Sequence, residues 1–343
     1  MMFVFLSFNS GYSLFQKHKI YGLPIEKCSS ENFRQMQSQG CWIKNFINPV
    51  PELHYLNFFQ YSEKKLPGLS VIRAISKGIA LDAEHTYFLA DFMTVDGTRT
   101  VGNADISEHE TEILAKEIQG TFDYFEFDVV GPGQILTKFA GRYPYTNWKF
   151  PFQIIGLDYK TFLPQDGVLR TPVRIIENSC RLLEKHPVNR VRIDLGENPA
   201  NFLWLHSQSR DFEKSGAISK KIGKRAIFCS QQDSIIDDIA RYLGFEVVNQ
   251  INFDSGDDAI VWINFKPQSF DLIGLIHAWE SIDREFLRLF RKNDTRIVIE
   301  FNTGFYHGKD LSLNFLWPVK GINPIKRTLM AKKLPGNFLL YDG

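Results

Sequence analysis

Short runs of β-branched and aromatic residues, separated by stretches with helical spacing, constrain this chain more than any other feature. Such alternation is the signature of an α/β domain with a mostly parallel sheet. The expected strands are FVFL (Phe3 to Leu6), NFLWL (Asn201 to Leu205), RAIFC (Arg225 to Cys229), DAIVWINF (Asp258 to Phe265) and TRIVIEF (Thr295 to Phe301). Between the last two, Leu272, Leu275, Ile276, Trp279, Ile282, Phe286 and Leu289 share one face of a helix over about 270–291. Thr171 and Pro172 predict the N-cap and first position of another helix, whose stripe is Val173, Ile176, Cys180 and Leu183 and which must stop before Pro187. The middle of the chain differs. Ser107 and Glu110 form a capping box for a helix ending at Gly120, and the Gly131-Pro132-Gly133 turn and aromatic loops separate short strands there. We read 76–185 as an inserted α+β cap domain and 1–75 with 186–343 as a discontinuous α/β core, its mostly parallel sheet flanked by helices.

A chain of 343 residues can bury enough surface to fold without a disulfide or metal clip. Its 40 basic and 39 acidic residues nearly cancel, so no general field attracts nucleic acid or an anionic membrane. Cys28, Cys41, Cys180 and Cys229 form no CxxC pair and read as buried free thiols, which fits a reducing compartment. The opening MMFVFLSFNS has an apolar run but no basic region before it, and reads as a buried strand of a cytoplasmic protein.

The segment HPVNRVRIDLGENPANFLWL, His186 to Leu205, is similar to the HPVNxxRxxxGxxPANxxWxW motif of the archaeal-type, cofactor-independent phosphoglycerate mutases, metal enzymes of the alkaline phosphatase superfamily. SENFRQMQSQG (Ser30 to Gly40) resembles that family's TPNMDxLAxEG. SVIRAISKGIAL followed by FLADFMTVDG resembles its PLEAAxxGIxL and FRCNLVTVDG, and IARYLGFEVV and AWESIDRE match later pieces in family order. The resemblance implies an alkaline-phosphatase-like core with an inserted cap, and a site where two divalent ions such as manganese or zinc assist a phosphorylated serine.

That site is degraded here. Asn9 stands where the first strand of the family ends in Asp, and Pro51 and Glu52 stand at the Ser and Asp of its GSD element. Proline has no hydroxyl to phosphorylate. Asn264 and Gln268 occupy two ligand positions, Asn302 and Thr303 fall where a strand should run into PDH, and Asn314 falls near the final histidine. Asp237 replaces a lysine. Two divalent ions about 4 Å apart repel by roughly 17 kcal/mol at an effective dielectric of about 20, and Asn and Gln bring no charge to offset it. The expectation is a catalytically disabled relative that holds no metal and binds a phosphorylated small molecule or a protein partner. The alternative is a mutase or other phosphotransferase with altered ligands.

Arg190, Arg192 and Asn201 keep the family pattern and admit two readings. Paired arginines can grip a carboxylate or phosphate. Alternatively they tie the hinge of the cap to the core through Asp194 or Glu197, the simpler explanation for a motif that outlives its metal site. His206 lies beside Ser207 and Ser209, where the family has a Gly-Gln-Gly turn. Strand neighbours point to opposite faces and no acid is visibly placed to orient the ring, so His206 reads as polar capping. His54, beside Glu52, reads as a loop histidine, and His277 as a satisfied interface residue.

Overall fold

The computed structural model describes residues 2–8, 41–46, 68–165, 167–210, 225–229, 235–249, 259–265, 277, 280–281, 283–284, 295–306 and 309–317; at 2–8, 41–46, 264–265 and 295–317 the description is of backbone. The chain divides into two compact units, Met1–Lys64 with Ser215–Gly343, and Lys65–Lys214. Along the chain run β1 (Met2–Phe8), β2 (Cys41–Phe46), α1 (Leu69–Ser76), β3 (His85–Asp96), β4 (Arg99–Asn103), α2 (Glu108–Thr121), β5 (Glu126–Gly131) and β6 (Gln134–Ala140). There follow α3 (Pro151–Ile154), α4 (Arg170–Leu183), α5 (Pro187–Asp194), β7 (Phe202–Ser209), β8 (Arg225–Cys229), α6 (Ile235–Tyr242), β9 (Glu246–Val248), β10 (Ala259–Phe265), β11 (Thr295–Tyr306) and β12 (Lys309–Trp317).

Among the described residues the discontinuous unit holds a seven-stranded sheet in the order β2-β12-β11-β1-β10-β8-β9. The strands from β11 to β9 run parallel, whereas β12 and β2 are antiparallel additions at one edge. Val261 and Trp262 are fully buried, and Trp262 meets Phe228 and Phe245 at ring distances of 4.5 and 5.7 Å. The helix-strand unit read in IARYLGFEVV is present. After α6, Gly244 takes φ +85 and the Phe245 N–H reaches back to the Ala240 carbonyl, closing the helix before β9. Of the helix expected over 270–291, the described residues His277, Glu280 and Ser281 are helical, and Asp283 and Arg284 form a wider turn.

The continuous unit is built on an antiparallel sheet. β3 is its centre: β6 pairs with His85–Asp91 and β4 with Met93–Asp96, while β7 pairs with Tyr87–Met93. Thr86 to Val95 is buried without alternation, the mark of a strand covered on both faces. α1 packs on β7, β3 and β6; α2 packs on β5, β6 and α4; α4 packs on β7. Leu114, Ile118, Phe125, Ile135, Ile176 and Leu203 are fully buried in the core between them. The Gly131-Pro132-Gly133 segment is the β5–β6 turn, with Gly133 at φ +68 and its N–H donated to Thr111 Oγ1 at 2.8 Å.

Several expectations need correction. The boundary placed at 185/186 is displaced, because β7 is bonded to β3 and so His186 to Ser209 lies in the same unit as 76–185. The helix expected to start at Thr171 starts at Arg170 with Leu169 as its N-cap, and its Pro172 is the third residue, where a missing N–H is still harmless. β11 does not end at Phe301 but runs on to Tyr306. Antiparallel pairing with β12 supplies hydrogen-bond partners that the sequence run alone does not reveal.

Candidate functional site

The motif segment from His186 to Asn201 is a helix and a turn, each closed by its own residues. His186 is the N-cap of α5, its Nδ1 accepting from the Val188 N–H at 3.3 Å, and Pro187 fills the first position. Asn189 is fully buried: its Nδ2 donates to the Leu183 and Ala200 carbonyls, and its Oδ1 accepts from the Ala200 N–H at 2.7 Å. Gly196, at φ +77, ends the helix with the Glu197 N–H bonded to the Arg192 carbonyl. Asn201 exchanges two bonds with the Val95 backbone, N–H to Oδ1 at 2.9 Å and Nδ2 to carbonyl at 3.0 Å, and so acts as one more rung of the β3–β7 ladder.

Arg192 is buried and its guanidinium is taken up on every side. Nε donates to the Asn198 carbonyl at 2.9 Å, Nη2 to the Asp105 carbonyl at 2.7 Å, and Nη1 lies 3.1 Å from both Glu110 and Glu197. The tie through Glu197 that the sequence offered is present. That pair is local to α5 and the turn after it; the pair with Glu110 joins α5 to the start of α2, and all of these residues lie within one unit rather than linking a cap to a core. Burial pushes the Glu110 carboxyl up, but the bonds from Ser107 N–H and Oγ and the nearby Arg192 charge outweigh it and hold the group below the ordinary glutamate range. Arg190 is exposed on α5.

At the end of β7 the register with β3 slips. Leu89 faces His206 and Tyr87 faces Ser209, so Ser207 and Gln208 together oppose Phe88. Ser207 takes φ +53, the one positive φ at a non-glycine among the described residues. This turn of the backbone brings Ser207 Oγ to 2.8 Å from His206 Nδ1, although strand neighbours ordinarily point apart. The other ring nitrogen, Nε2, bonds Asp91 Oδ2. Asp91 pairs with Trp204, two residues before His206, so the two side chains are diagonal neighbours on one face. Gln134 Nε2 donates to the second Asp91 oxygen at 3.0 Å, and the Phe150 ring lies 5.5 Å from the imidazole. Gln208 turns the other way and fastens the Pro144, Thr146 and Trp148 loop.

The reading of His206 as an unoriented capping group is therefore corrected, since an acid does orient it. Asp91 went unnoticed in the sequence, yet a signal was there: a lone carboxylate within the apolar run of HTYFLADFMTV demands a buried partner. His277 is exposed rather than enclosed at an interface. Asn9, Pro51, Glu52, His54 and Gln268 lie outside the described residues. Asn264 pairs with Ser7 on β1, Asn314 with Glu300, and Asn302 with Ser312. Thr303 sits at a second register shift, between Asn302 and Phe305. Asp237, on α6, is buried at 3% exposure.

Residues 43–189 match the family model described as 2,3-bisphosphoglycerate-independent phosphoglycerate mutase. The chain is 22% identical over 275 residues to 2,3-bisphosphoglycerate-independent phosphoglycerate mutase 2 of Methanocaldococcus jannaschii, covering 71% of this chain and 63% of that protein. It is 28% identical over 201 residues to the mutase of Methanosarcina mazei, covering 53% and 46%. The matched part thus spans less than two thirds of either relative's length. In fold, the chain is similar to the PH0037 protein from Pyrococcus horikoshii, with a TM-score of 0.60 at 16% identity over 91% of this chain and 86% of that one.

Proposed function

We propose, for a chain that is a diverged relative of the archaeal cofactor-independent phosphoglycerate mutases, that the mutase reaction has been lost and the protein acts by binding a phosphorylated small molecule or a protein partner in the cytoplasm. The observation that supports this most is the donor set. Asn9, Asn264, Gln268, Asn302 and Asn314 supply neutral oxygens, and Pro51 supplies no nucleophile. These residues do not fit a pair of divalent ions, because the mutual repulsion of the ions calls for carboxylates around them. The hairpin points the same way: Asn302 is engaged through its backbone in a strand pair with Ser312, whereas a ligand pair is expected at a strand's end. In this reading the discontinuous unit is a degraded alkaline-phosphatase-like core and the other unit its cap. Free thiols at Cys180 and Cys229 fit a reducing compartment. No helix among the described residues is long and apolar enough to cross a membrane. Of Arg190, Arg192 and Asn201, the exposed Arg190 is the residue free to meet an anionic ligand, since the polar groups of the other two serve the fold.

Two measurements on purified protein test this. Elemental analysis after dialysis is expected to find no stoichiometric manganese or zinc, and coupled conversion of 3-phosphoglycerate is expected to give no turnover. Two retained divalent ions together with turnover would replace this reading with that of a mutase using altered ligands.

A further inference from the structure

We infer that Asp91, His206 and Ser207 form a nucleophilic site for small carboxylic esters, independent of the lost phosphoryl-transfer site. All three residues, and the elements that place them, lie in the unit Lys65–Lys214. The bonding order is that of a triad: Asp91 orients the imidazole through Nε2, which leaves Nδ1 to accept the Ser207 hydroxyl proton at 2.8 Å. Asp91 and His206 are 9% and 4% exposed, whereas Ser207 is half-buried, so the base is shielded while the residue of the nucleophile keeps part of its surface in solvent.

Three further observations carry the inference. Ser207 holds its left-handed backbone in a bulge, a strained placement that turns Oγ toward the base and has a parallel in the nucleophile elbow of α/β-hydrolases. The N-terminal end of α1 lies against the same bulge, with Ser70 Oγ donating to the Ser207 carbonyl at 2.7 Å and the Gly68 N–H to Ser209 Oγ at 3.2 Å. Its partial positive charge favours an oxyanion forming there. Finally, the three positions depart together from the motifs this chain otherwise resembles: His206 stands where PANxxWxW has tryptophan, Asp91 where FRCNLVTVDG has asparagine, and Ser207 within the Gly-Gln-Gly turn.

The substrate class follows from the surroundings. A buried carboxylate and the Phe150 ring favour an uncharged carbonyl over a phosphate. Ser207 Oγ bonds to the ester carbon as its proton passes to His206 Nδ1; collapse of the tetrahedral adduct breaks the bond to the alcohol, which leaves with that proton. Water then attacks the acyl-serine, giving its proton to Nδ1, and the acid departs as Ser207 regains a proton.

The test uses the full chain with an alkyl fluorophosphonate and with p-nitrophenyl acetate. The wild-type protein is expected to be labelled at Ser207, as located by peptide mass spectrometry, and to release p-nitrophenol. Ser207→Gly, in which relief of the backbone strain offsets the lost bond to His206, is expected to melt close to wild type and yet to lose both signals. His206→Gln is expected to slow labelling at least about 100-fold. As a positioning residue, Asp91 is tested by a kinetic split: Asp91→Asn is expected to lower kcat for the ester at least about 100-fold with KM little changed. Folded wild-type protein without a label on Ser207, equal labelling in His206→Gln, or an ester activity that survives Ser207→Gly overturns the inference.

Discussion

Arg192 exchanges water for two carbonyls and two carboxylates, and removing it leaves the Asn198 and Asp105 carbonyls without their donor. Arg192→Ala is expected to lower unfolding stability by about 3 kcal/mol, read from urea denaturation. Arg190→Ala, on the exposed side of the same helix, is expected to stay within about 0.5 kcal/mol of wild type in that assay. Ser207→Gly is expected to stay within about 1 kcal/mol of wild type, since relief of the left-handed backbone at φ +53 offsets the lost bond to His206. The thiols make a further case. Burial pushes Cys180 up to about 11, with Tyr159 beside it pushed up to about 12, and burial also raises Cys229. At pH 8 Cys180 is about one part in a thousand thiolate, and both thiols are expected to react with iodoacetamide far more slowly than free cysteine.

Among the elements, α2 joins a local signal to a distant one. Its capping box was legible because Ser107 and Glu110 are three residues apart, and both reciprocal bonds are present. The role of Glu110 toward Arg192 was not legible, since that contact spans 82 positions. Because the Glu110 carboxyl sits below its ordinary range when folded, its contribution is fully present above the unfolded glutamate pKa and is lost as pH falls through the folded value. Glu110→Gln is therefore expected to flatten the stability curve below about pH 4.5, measured by denaturation at stepped pH. In the discontinuous unit β8 and β10 were readable because each carries an apolar run, as a parallel sheet requires, whereas β2 and β12, CWIKNF and KDLSLNFLW, are broken by polar residues and were not read as strands. The length of β11 was not readable, because its second half depends on pairing with β12 rather than on its own composition. The Asp91–His206 bond was hidden for the same reason: an antiparallel ladder and a bulge bring together side chains 115 positions apart. In the hairpin, placing Asp at Asn302 and His at Thr303 puts new ligands within a paired strand and at a register shift. The quadruple variant Asn9→Asp, Pro51→Ser, Asn302→Asp, Thr303→His is therefore expected to remain inactive in coupled conversion of 3-phosphoglycerate.

At the scale of the whole molecule, the unit Lys65–Lys214 has its own sheet, its own helices and its own buried core. A fragment of those residues is expected to fold alone with a cooperative thermal transition, followed by circular dichroism. The other unit cannot begin so simply, because its central strand β1 is flanked by β10 and β11, whose residues begin at Ala259 and Thr295. On a ribosome adding residues at roughly 5–20 per second, β1 waits on the order of ten seconds or more for its second neighbour. Through that interval an apolar strand has both hydrogen-bonding edges open, the condition under which nascent chains pair with one another instead of with themselves. The order of strands in the finished sheet therefore sets a condition on biosynthesis: the β1 segment stays without its sheet partners until the β10 and β11 segments have been made.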